Sequence, residues 1–90
     1  MQRIDGPTRA AVRPAPDPQG EGAGAPGFFQ KGDVVAGRAP TTVTADWANA
    51  IQEELCAVIE YPGTTLDKTK NNQLLDAIIA IIDQRIAAAG

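Results

Sequence analysis

Adjacent carboxylates at Glu53 and Glu54 are the first candidates for general acid–base chemistry in this chain. The surrounding pattern is helical, and neighbours on a helix point about 100° apart, so the two cannot converge on one substrate atom. They read as a solvated or partner-facing edge. Asp67, Asn71 and Asn72 are oxygen donors, but they lack the spacing and closing Glu of a calcium loop. Capping and turn formation explain them better. Gly20, Gly22 and Gly24 alternate, yet no strand precedes them and no helix with a Lys-Thr ending follows, so they make no phosphate loop. The chain has no histidine, no serine and one cysteine, Cys56. Soft metal sites and Ser-His or Cys-His nucleophiles therefore have no constituents, and no cofactor site is expected. Cys56 reads as a small, semi-buried residue. The expectation is a protein that is not an enzyme and works by binding.

The elements that would position binding residues lie from Val43 onward. A first helix starts near Thr44, which can cap it, and Asp46 suits the positive end of the helix dipole. Trp47, Ile51, Leu55 and Val58 recur at helical spacing, with Ala50 and Ile59 widening the stripe. Trp47 is a core or interface anchor. The helix stops at Tyr61, because Pro62 disfavours helix in the residue before it and Gly63 permits a turn. Leu66 is the large apolar residue of the connection and is placed between the helices.

A second helix begins somewhere from Asp67 to Asn72 and runs to Ala89, with Gly90 as its stop. Its apolar residues cover more than one face. Leu75, Ile78, Ile82 and Arg85 fit one seam, and Leu74, Ile78, Ile81 and Arg85 fit a shifted one. Isoleucine at both seam positions favours three or four strands over two. The fold class is mainly α: an extended Pro/Gly-rich arm over residues 1–43, then a two-helix hairpin over 44–90 that assembles as a trimeric helical bundle. The oligomer core is assigned to Trp47, Ile51, Leu55, Val58, Leu75, Ile78 and Ile82.

The arm explains why the hairpin must carry the fold. Residues 6–27 contain no Ile, Leu or aromatic residue. Such a segment buries too little apolar area to offset its ordering entropy. Pro14, Pro16 and Pro18 favour polyproline-like extension, and the alternating glycines that follow favour flexibility. Met1 to Asp5 is a short polar start with no features of a signal peptide. Phe28 and Phe29 have no helical or strand neighbours in the sequence, so they either fold back on the helices or anchor the arm in a partner. Asp33 to Ala36 reads as a short extended piece, and Gly37 to Thr42 as a loop.

The formal net charge is −3. The second half is the acidic half, which argues against a nucleic-acid partner. The longest apolar run, Ala77 to Ile82, is too short to cross a bilayer, so no membrane partner is expected. One cysteine excludes an internal disulfide and fits synthesis in a reducing compartment.

VTADWANAIQEEL, then VIE, a Gly-containing turn, TLDK, an Asn-rich step and QLLDAI resemble a segment of phage tail fibre and tail-collar-type proteins. The opening MQRIDGPT and the aromatic pair in GFF are similar to the N-termini of such proteins. Ala48 stands where a larger apolar residue is common, and Tyr61-Pro62 where small residues are common. The resemblance implies a virion structural protein, made in the host cytoplasm and resident in the tail. It implies a homotrimer at the virion-proximal end of a fibre. Phe28 and Phe29 would then bind a tail or baseplate protein, and the hairpin would pass the axis to a distal fibre or receptor-binding protein. With Gly90 as its end, the chain is expected to be a short adaptor or the anchor of a longer fibre. Composition and spacing alone also allow a non-viral helical oligomerisation adaptor with a disordered N-terminal tail.

Overall fold

The computed structural model describes residues 1–16 and 24–90, so the expectations for Pro18, Gly20 and Gly22 lie outside the described residues. Two helices form a hairpin: α1 spans Ala45–Glu60 and α2 spans Gln73–Ala89. Thr44 caps α1, its hydroxyl accepting the Trp47 N–H at 3.3 Å, which satisfies an amide the first turn leaves open. At the other end Gly63 takes φ +99° and its N–H donates to the Glu60 carbonyl at 2.9 Å. That left-handed step closes the turn behind Pro62.

The connection is held by Asp67. Its carboxylate accepts from the Thr69 N–H at 2.9 Å and the Thr69 hydroxyl at 2.7 Å. Because Asp67 is spent on this turn, α2 starts at the late end of the expected window. Asn72 occupies the cap position without capping, and its amide donates instead to Asp76 at 3.0 Å.

The buried core between the helices is small: Cys56, Ile59 and Ala77, joined by Gln73. It is rotated from the stripe read in the sequence. Leu55 and Val58 are half-buried, while Trp47 and Ile51 turn outward. On α2, Leu74 and Ile81 are half-buried beside Ala77, whereas Leu75, Ile78 and Ile82 are exposed. Leu74 and Ile81 of the shifted seam therefore lie toward α1, while Ile78, common to both seams, stays exposed. Ala77, 2% exposed, is the small residue that α2 turns inward.

The piece Asp33 to Ala36 is a turn and not extended. Asp33 and Arg38 exchange backbone bonds of 2.8 and 2.9 Å, and the Asp33 carboxylate accepts from Val35 and Ala36 N–H. An Asp bonding its own backbone two and three residues ahead overrides the β-branched preference of Val34 and Val35. Gln30 and Thr41 pair at the base of this loop.

Candidate functional site

Phe28 and Phe29 part company in space. The Phe29 ring meets the Trp47 indole edge to face, with centroids 5.1 Å apart and planes at 79°. Phe28 is 98% exposed. Phe29 thus tacks the arm to the start of α1, and Trp47 keeps 49% of its surface in water. Beyond it on α1 lies Ile51, also exposed.

Leu75, Ile78, Ile79, Ile82 and Ile86 are exposed along α2. An apolar groove of about 300 Å³ runs between the C-terminal parts of the two helices, lined by Ala57, Val58, Tyr61, Ile81 and Arg85. Arg85 donates to the Tyr61 hydroxyl at 2.9 Å and so links the two helices there. Of the residues assigned to an oligomer core, the hairpin itself half-buries Leu55 and Val58 and leaves Trp47, Ile51, Leu75, Ile78 and Ile82 on its surface.

Two features were not legible from local pattern. The first is Gln73, 6% exposed at the start of α2. Its carbonyl oxygen accepts the Asp67 N–H at 3.0 Å, and its amide donates to the Thr65 carbonyl at 3.0 Å. The Met1 ammonium completes this knot by donating to Gln73 Oε1 at 2.7 Å and to the Asp67 and Lys70 carbonyls. The second feature is the seat of residues 1–5 on α1. Arg3 binds Glu53 through two nitrogens at 2.9 and 3.0 Å and Glu60 at 3.2 Å. The Ile4 N–H donates to Gln52 at 2.6 Å, and Asp5 accepts from Lys68 at 2.6 Å. Glu53 is therefore partner-facing, its partner being the chain's own start, and the Arg3 guanidinium holds its carboxyl below the usual range. Opposite charges fifty residues apart in the chain leave no periodic signal to read.

Among the described residues no group of three His, Cys, Asp or Glu could hold a metal. Cys56 is buried, and burial pushes its thiol up, away from the nucleophilic thiolate. No helix of the described residues is long and apolar enough to cross a membrane. What the arrangement can do is bind apolar surface.

No family model and no solved structure matches the chain. Over 64 residues it is 39% identical to "Uncharacterized protein StfP" of Escherichia coli strain K12. The match covers 71% of this chain and 30% of that protein, so the chain spans less than a third of its relative's length.

Proposed function

We propose that this chain is a phage virion structural protein, a tail fibre anchor or adaptor that joins a trimeric fibre to the tail or baseplate. The observation that carries the reading is unburied apolar surface on an ordered hairpin. The chain exposes 7372 Å², against about 5,000 Å² for a folded monomer of its mass. Its radius of gyration is 17.8 Å, against about 12 Å for a compact domain of this length. Part of that excess is arm, but the exposed isoleucine face of α2 is not. A surface of that kind is stable when other copies cover it. Similarity to StfP, whose name is of the side tail fibre type, supports the coarse part of the reading.

In this role the hairpin forms the homotrimer through Ile78, Ile82 and their neighbours. Phe28 is the ring free to enter a tail or baseplate protein, with Phe29 holding its base on Trp47. A distal fibre or receptor-binding protein continues the axis. The protein is made in the host cytoplasm, resides in the virion tail, and carries no catalytic activity or cofactor.

Mass spectrometry of purified particles tests the proposal. The chain is expected at fibre-like copy number in wild-type particles and absent from particles assembled with Phe28→Ser and Phe29→Ser. Particles that lack the wild-type chain, or that take up the double variant normally, would overturn it.

A further inference from the structure

Residues 1–5 make a denser set of directed contacts than a polar chain start needs. Arg3 spans Glu53 and Glu60, which lie two turns apart on one face of α1. Cys56 sits between them on that face, one turn from each. The guanidinium therefore bridges the helix face to which Cys56 belongs, and Cys56, in the core between the helices, has no accessible surface. Ile4 adds a backbone bond to Gln52, and Asp5 reaches across to Lys68 in the connection between the helices. At Gly6 the chain adopts φ +117° and turns, the Arg9 N–H donating to the Gly6 carbonyl at 3.3 Å. The seated segment ends there.

We propose that residues 1–5 are a displaceable electrostatic strap that closes the hairpin over Cys56, opens as a unit, and uncovers the acidic face of α1 when it does. Three observations carry this. The contacts of Arg3, Ile4 and Asp5 are ionic and polar, and all three side chains are exposed, so Met1, half-buried, is the one apolar residue that seats the segment once charge is screened. The ion pairs lie at the surface, with Glu53 the most covered partner at 29% side-chain exposure, which makes each individually weak and salt-sensitive. Arg3, Ile4 and Asp5 in succession contact two different elements, α1 and the connection, so losing the Arg3 fork removes the lateral support of the rest.

The single cysteine makes the full chain its own reporter. Reaction of Cys56 with Ellman's reagent is followed under native conditions, with far-ultraviolet circular dichroism monitoring helix content. Arg3→Glu is expected to speed the reaction by about tenfold or more at unchanged helicity, as a local opening does. Reversing the seat in the same chain, with Glu53→Arg and Glu60→Arg, is expected to return the rate to near wild type. Arg9→Glu, outside the strap, should leave it unchanged. An Arg3→Glu rate equal to wild type, a rate that the reversed seat fails to restore, or an equal acceleration by Arg9→Glu would each overturn the proposal. Exchange of the Ile4 amide in the wild-type chain provides a readout that needs no variant. Raising salt from roughly 50 mM to 1 M, where the screening length falls to about 3 Å, should accelerate it while α2 amides hold. An Ile4 amide that is unprotected at low salt, or insensitive to salt, also overturns it.

Discussion

Phe28 and Phe29 are neighbours with different duties. Phe29→Ser removes an edge-to-face contact, worth about 0.5–1.5 kcal/mol beyond area burial, and should lower the melting temperature. Phe28→Ser removes a ring that touches water, so the melting curve should stay in place. Thermal scans of the two single variants separate these outcomes, and equal shifts would show that both rings pack on the hairpin. Gln73 is the other residue with a defined cost. Gln73→Ala takes the side-chain partner from the Asp67 N–H and the Thr65 carbonyl at a part-buried site. About 1–3 kcal/mol of stability should be lost in denaturant titration. A much smaller loss would mean that water replaces the side chain freely. Helical periodicity passes over Gln73 because it is polar; its position just inside a helix that lacks a side-chain cap is the one sequence-level hint.

At the scale of elements, the closeness of α1 and α2 depends on Ala77. Ala77→Leu inserts volume where the helices meet, at a site 2% exposed. Overpacking of this kind costs about 1–3 kcal/mol, and the hairpin should melt earlier. Ala80→Leu, at a half-buried neighbour, should cost less. The strap contributes a pH dependence whose sign follows from its carboxylates. Hydrogen bonding from Arg3 depresses Glu53, and hydrogen bonding from Lys68 depresses Asp5. A carboxyl depressed in the folded state binds fewer protons there than when unfolded. Its contribution is therefore complete above the unfolded values, about pH 4, and is lost as pH falls through the lower folded values. Protection of the Ile4 amide should be constant from neutral pH down to the carboxylate range and then decline. A decline beginning near neutrality would assign the strap's hold to some other group.

The whole molecule is defined by what it leaves uncovered. α2 presents Ile78 and Ile82 to solvent, and self-association should depend on them. Light scattering at tens of micromolar is expected to give the mass of three chains, and Ile78→Asn with Ile82→Asn that of one. Because these side chains are outside the hairpin core, the double variant should keep its helical spectrum. A wild-type chain that remains monomeric would make assembly depend on the particle. A double variant that loses helix content would show that the face supports the monomer.

What the sequence determined by itself was local. Thr44, the Pro62-Gly63 pair and Gly90 bound the helices, because capping, proline sterics and left-handed glycine act within a few residues. The arm's lack of large apolar residues over 6–27 likewise placed the regular structure in the second half. Tertiary structure decided the rest. A one-residue rotation turns a helix face by about 100°, so the partner helix, through Ala77, selected Cys56 and Ile59 for burial over Trp47 and Ile51. It also brought Phe29 to Trp47 and Arg3 to Glu53 and Glu60. Those pairs form between segments far apart in the chain, where complementary shape and charge act only after the backbone has brought them together.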